Sequence, residues 1–174
     1  MKTETTNPDK TVAAFIHLST FSKYFIPLGN FIFPLILWTA KKKDPFVDEH
    51  GKRALNFQIS MFLYFVLVAA IGISGVVIMG MNISDQGPLF ISQDSIQVHD
   101  LSGAVPLIVF MIVIGIILLG LFITDIVAVI SATIKAKDGE NYKYPITINF
   151  INSTLGGDHQ SKNEQFNNTQ NQTL

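Results

Sequence analysis

The sequence predicts an all-α membrane protein with two full transmembrane helices, a broken N-terminal hydrophobic helix pair and a short extended C-terminal segment. Three observations carry that prediction. Of 174 residues, 48% are hydrophobic and 14% charged, against roughly 25% charged in an ordinary soluble domain. Residues 55–81, "LNFQISMFLYFVLVAAIGISGVVIMGM", contain no charge. Residues 104–134, "AVPLIVFMIVIGIILLGLFITDIVAVISATI", contain one, Asp125.

Either run is long enough to cross a bilayer, since 27 residues of helix rise about 40 Å against a hydrocarbon core of ~30 Å. The first span with its cytoplasmic start covers 45–81 and the second covers 104–136. Pro106 falls in the first turn of the second, where a missing N–H does no harm. No Lys or Arg occurs between Arg53 and Lys135, whereas eight of the twelve lie in residues 41–53 and 135–143. The intervening loop, 82–103, carries three aspartates and no basic residue. The positive-inside rule therefore puts 41–53 and 135–174 in the cytoplasm and 82–103 outside.

The N-terminal region follows a disordered start, residues 1–7, and reads as two pieces, 8–24 and 31–43, separated by "IPLGN". Asn7 as cap, Pro8 at the first position and Asp9 in the first turn mark a helix start. The second piece is too short to cross alone. The pieces either stack as one broken span, with the N-terminus outside, or fold back as a re-entrant or interfacial hairpin that keeps it inside. The hairpin is preferred because it gives Lys10 and Lys23 a short route to head groups. Irregular backbone at that depth needs protein or water beside it.

Asp44 before Pro45 opens a further helix, with Asp48 and Glu49 near its positive end. Near the other end of the chain, residues 142–151 alternate Tyr142, Tyr144, Ile146, Ile148 and Phe150 with polar residues and Pro145, which predicts an interfacial extended segment. The tail, 152–174, is Asn/Gln-rich and predicted disordered. No cleaved signal peptide is expected. Cysteine is absent, which removes disulfides, thiolate metal sites and cysteine nucleophiles.

At "HLS", "GNFIFPLILW", "DPFVDEHGKRALNFQIS" and "IKAKDGENYKYPITINFI" the sequence resembles a family of small bacterial multi-pass membrane proteins of unknown function. That family is similar to the twenty-kilodalton inner-envelope component of the chloroplast import translocon. The likeness covers residues 12–151 and implies the bacterial inner (cytoplasmic) membrane. Arg53 departs from it, standing where the resemblance implies Glu or Gln.

Two groups of polar residues stand out. Asp125 lies ten residues, about 15 Å of helix, before Lys135, and an unpartnered carboxylate at such depth costs roughly 2.5 to 3.5 kcal/mol. Its face carries Leu121, Ala128 and Ala132. On the other span Asn56, Ser60, Leu67, Ala70 and Ser74 share a face at 100° per residue, and the two faces are expected to meet. Asp125 is then expected to accept a hydrogen bond from Asn56, Ser60, Tyr64 or His17, or to form a snorkelled pair with a basic group.

The second group is the cytoplasmic motif Asp44, Pro45, Asp48, Glu49, His50, Gly51, Asn56 and Gln58. Its adjacent acids and histidine do not face one another on a helix, so the expected role is to hold a neighbouring loop, "IPLGN" or "NYKYP", and no metal is expected. His17 has no Ser or acid at motif spacing and reads as packed rather than as a base. Phosphate loops, H-E-x-x-H and G-x-S-x-G are absent, so neither an enzyme nor a cofactor is expected. The segregated charges leave no basic surface for nucleic acid.

The expected function is that of a non-enzymatic scaffold or accessory subunit of a membrane assembly. Its partners are the lipid bilayer and a membrane protein or further copies of the chain. The rival reading is a small oligomeric channel or carrier for protons, ions or small solutes that uses Asp125. A lipid or membrane-thickness sensor rests only on the aromatic and lysine belts.

Overall fold

The computed structural model describes residues 9–84 and 99–152. The expected disorder of 1–7, the capping role of Asn7 and Pro8, most of the external loop and the polar tail beyond residue 152 lie outside the described residues. Among the described residues there are four α-helices: α1 Lys10–Ser19, α2 Gly29–Lys41, α3 Pro45–Ser84 and α4 His99–Asp138, with a 3-10 turn at Thr20–Tyr24 between the first two. They fall into two compact units, one of residues up to Met61 together with those from Ile126 onward, the other Phe62–Asp125.

In the first unit α1 starts one residue after Asp9, whose Oδ1 accepts from the Val12 N–H at 3.1 Å. Asp9 is thus the N-cap of this helix rather than the first-turn acid that the sequence suggests. The chain turns at Phe25–Leu28, where Leu28 takes a left-handed φ of 61°, and α2 returns. The backbone N–H of Asp9 donates to Asp44 Oδ2 at 2.8 Å, and Lys41 Nζ lies 3.5 Å from Asp9 Oδ2. The two N-terminal pieces therefore form a hairpin with both ends together, not one stacked span.

Asp44 also caps α3, its Oδ1 accepting from the Phe46 and Val47 N–H groups at 2.8 and 3.4 Å. One carboxylate so closes the hairpin and starts the next helix. The apolar core of this unit is Ile16, Trp38, Val47, Ala54 and Leu55, with Val12, Phe31, Leu37 and Ile151 packed on it. From α4, Ala128, Ala132 and Ala136 add a buried stripe four residues apart. The lysine-rich stretches 41–53 and 135–143 belong to this unit, and Lys10 Nζ donates to the Asp138 carbonyl at 3.3 Å.

Residues 142–151, expected as an interfacial extended segment, run as irregular chain, and no strand occurs among the described residues. The chain turns at Pro145–Ile146, with Ile146 at a φ of 49°. Only Tyr144 of the five alternating residues is buried, while Ile146, Ile148 and Phe150 are exposed. The reason is that the backbone amides of this stretch bond to side chains on α3 rather than to a second strand.

In the second unit α3 and α4 contribute the apolar lengths, and Pro45–Met81 and Ala104–Asp138 are long and apolar enough to cross a membrane. Because α4 begins at His99, Pro106 lies inside the helix rather than in its first turn. Close approach occurs at Gly72 and Gly75, where an added Cβ would meet Ile114 at 3.3 Å and the Phe110 ring at 2.3 Å. Missing side chains let the neighbouring helix pack on backbone. Leu67, Ala70 and Ser74 are exposed instead, so the glycine face, not the Ala/Ser face expected from the sequence, makes the contact. Nearly every other large residue here is exposed, Ile73 at 67% and Ile116 at 64%, a surface suited to lipid rather than to water.

Candidate functional site

The first five turns of α3 carry the densest set of buried polar side chains: Glu49, His50, Arg53, Asn56, Gln58 and Ser60. The helix presents them on several faces, and each face meets a different part of the first unit. Glu49 and Arg53, four apart, are in register for a pair, and Arg53 Nε lies 2.8 Å from Glu49 Oε1. Arg53 Nη1 reaches on to the carbonyl of Tyr142 at 2.9 Å.

His50 points elsewhere. Its Nδ1 is 2.7 Å from His17 Nε2 on α1, and His17 Nδ1 is 2.8 Å from the Tyr144 hydroxyl. Phe46 packs on the His50 ring at 4.3 Å between centroids, and Phe57 stacks on Tyr144 at 4.2 Å. Tyr144, His17 and His50 thus form a continuous buried hydrogen-bonded line between aromatic walls. Burial above all, then the proximity of His50 and Arg53, holds the His17 pKa well below the ordinary 6.5. A neutral imidazole donates from one nitrogen and accepts at the other, so such a line can carry its protons in either sense. At its end His50 Nε2 is buried without a hydrogen-bond partner, as is Arg53 Nη2.

Asn56 and Ser60 hold the C-terminal segment. Asn56 Oδ1 accepts from the Phe150 and Ile151 N–H groups at 3.1 and 2.8 Å, while its Nδ2 donates to the Ile151 carbonyl at 2.8 Å. Ser60 Oγ accepts from the Ile148 N–H at 2.8 Å and donates to the Asn56 carbonyl at 2.7 Å. Gln58 Oε1 accepts from Asn30 Nδ2 at 2.9 Å, tying "IPLGN" to α3. Asp48 accepts from Trp38 Nε1 at 2.8 Å and pairs with Lys52 at 2.6 Å. Gly51 lies under the same indole, where an added Cβ would fall 2.4 Å from Trp38 Cγ.

The consecutive residues Asp48, Glu49 and His50 therefore diverge to three different partners. Among the described residues no three His, Cys, Asp or Glu side chains are grouped to hold a metal ion. Asn56, Ser60 and His17 make their hydrogen bonds to the C-terminal segment, to Tyr144 and to His50. Asp125 and Tyr64 belong to the second unit, with Asp125 4% exposed.

A model of the magnetosome magnetite crystal formation protein family, MamF/MmsF, matches residues 8–151. The chain belongs to that family. No curated protein and no solved structure matches it. The matched stretch contains every residue of the buried polar set, so in this MamF/MmsF protein the His17–His50–Tyr144 line lies wholly inside the family region. The likeness to the chloroplast translocon component finds no support in these comparisons, which place the motif in the magnetosome family. Sequence reading named the loops that hold Asn30 and Tyr144 without singling out either residue, and it did not identify Arg53 and Trp38 as partners. "NYKYP" and "IPLGN" carried the signal, as short interruptions of apolar pattern facing a helix rich in amides.

Proposed function

We propose that this protein is a non-enzymatic scaffold or accessory subunit of a membrane assembly that acts in magnetite crystal formation. It sits in the inner (cytoplasmic) membrane or a compartment derived from it, with 41–53 and 135–174 cytoplasmic and 82–103 outside. The observation that carries the reading is the use made of the polar residues of α3: Arg53, Asn56, Gln58 and Ser60 each fasten another segment of the chain. Polar groups committed in this way build a fixed shape, which suits a part that others assemble on. The family description supplies the process, and the two lysine-rich stretches in one unit support the topology.

The test is affinity purification of the tagged chain from native membranes, followed by mass spectrometry, with electron microscopy of crystals in a magnetotactic host lacking the gene. A stoichiometric membrane-protein companion and crystals of altered size or number are expected. Normal crystals and a chain that purifies alone would overturn the reading.

The burial of Asp125 within an apolar helix favours one rival, a channel or carrier. Proteoliposome flux that disappears in Asp125→Asn is its signature.

A further inference from the structure

Two segments of the first unit end in exposed apolar tips, and both tips lie beside the same level of α3. The first is the hairpin turn, Tyr24–Leu28, in which Phe25 is 87% exposed. Asn30, just after it, bonds Gln58. The opposite end of α2 meets the charged start of α3, through Trp38 and Asp48. The second tip is Pro145–Phe150, with Ile146 53% exposed. Its chain passes Arg53 at Tyr142, reaches Ser60 at Ile148 and returns to Asn56 at Phe150 and Ile151. Each segment thus runs from the charged start of α3 toward its uncharged length and comes back.

The depth follows from helix geometry. Arg53 is the last charge before the apolar run, and Gln58 and Ser60 lie five and seven residues beyond it, about 8 and 10 Å along the axis. Apolar groups of interfacial elements enter the headgroup and acyl boundary by roughly 5–10 Å. Backbone at that depth needs internal partners, and the amides of Ile148, Phe150 and Ile151 have them in Ser60 and Asn56. This accounts for two hydrogen-bonding side chains at the head of an otherwise apolar helix. Neither tip contains an acid. Lys23, beside the first, places its ammonium 5.5 Å over the Tyr24 ring, and its flexible stem lets the charge reach back to head groups.

We propose that Tyr24–Leu28 and Pro145–Phe150 are a paired membrane-inserting rim, entering the leaflet on the lysine-rich side without crossing it. The inference rests on the reading that α3 crosses a bilayer, and its occupant is lipid. It makes the first unit a monotopic cap seated in the membrane surface rather than a domain standing clear of it.

The chain has no cysteine, so single nitroxide labels can be placed by Phe25→Cys, Ile146→Cys, Lys42→Cys and Val77→Cys. The full-length protein is reconstituted in phosphatidylethanolamine–phosphatidylglycerol vesicles, and spin relaxation by oxygen and by a water-soluble nickel chelate is measured. Labels at 25 and 146 are expected to show several-fold lower nickel accessibility than the label at 42, with oxygen accessibility between those at 42 and 77. Nickel accessibility at 25 and 146 equal to that at 42 overturns the rim, as does low accessibility to both reagents, which means protein covers the tips. A label at 77 open to nickel overturns the membrane-spanning reading itself, so the two failures are distinguishable.

Discussion

His17 Nε2 and His50 Nδ1 lie 2.7 Å apart with both rings buried, so one proton serves both nitrogens. A second proton in that gap would turn two N–H groups toward each other at hydrogen-bond distance, and charging either ring would set a cation in a low-dielectric interior with the Arg53 guanidinium already near. The contact joins α1 to α3, and through Tyr144 it joins both to the C-terminal segment. One shared proton therefore sits where three parts of the first unit meet.

This gives a pH dependence with a definite sign. His17 lies in α1, outside the two apolar spans, and its folded pKa is well below 6.5. In the unfolded chain it is near 6.5. Below that value the unfolded state binds the extra proton and the folded state does not, so stability is lost as pH falls from about 6.5 toward the folded pKa. The limiting slope is about 1.4 kcal/mol per pH unit for one histidine. Thermal unfolding in detergent between pH 8 and 5 should show a flat region above neutrality and a decline below. His17→Gln should start lower and decline less steeply. Equal slopes in the two proteins would remove His17 from the account.

Asn56→Leu should free the C-terminal segment. The amide makes three hydrogen bonds to Phe150 and Ile151, each worth about 1 kcal/mol net and more when its partner is left buried and unpaired. A loss on the order of 3 kcal/mol is expected. Hydrogen exchange at the amides of Phe150 and Ile151 should rise strongly, with the middle of α4 unchanged. Unaltered protection at those amides would show that the segment is held by something else.

The large features of the fold are legible in the sequence because they are set by length and charge. Residues 55–81 and 104–134 carry too little charge and too many apolar side chains for an ordinary surface helix, and the structure forms them as helices long and apolar enough to cross a membrane. The Asp44–Pro45 start is equally local, an acid capping the N–H groups that follow it. What the sequence does not disclose is pairing. His17, His50 and Tyr144 are separated by 33 and 127 residues along the bonds they make, and nothing in a one-dimensional pattern relates them. The turn at Ile146 is illegible for a related reason: the amides of Ile148, Phe150 and Ile151 are satisfied by Ser60 and Asn56, far away in sequence, so the segment needs no strand partner.

Gly51→Ala should be costly although alanine is the better helix former. The new Cβ would fall 2.4–2.8 Å from Cγ, Cδ1 and Cβ of Trp38, and the indole cannot retreat without releasing Asp48. Overpacking of this kind costs typically 1–3 kcal/mol. Trp38 is the sole tryptophan, so its fluorescence reports the site directly, and a lower Tm with shifted emission is expected. Gly80→Ala is the control, since nothing lies within 4 Å of the added carbon, and it should be neutral or slightly stabilising. Similar melting of both variants would mean that α2 adapts freely.

Asp125 is tested by comparing two replacements. It is 4% exposed and is the one charge in residues 104–134, so its carboxylate is held where a bare charge costs roughly 2.5 to 3.5 kcal/mol. Asparagine keeps an acceptor oxygen and most of the volume. Leucine keeps the volume but leaves any donor that faces the carboxylate unsatisfied, at about 1–3 kcal/mol. Asp125→Asn should therefore give a greater yield of monodisperse protein in detergent than Asp125→Leu, measured by size-exclusion chromatography after mild heating. Were leucine to match asparagine, the carboxylate would have no structural partner of consequence, and the weight would move to the flux reading, in which the acid is retained for transport rather than for packing.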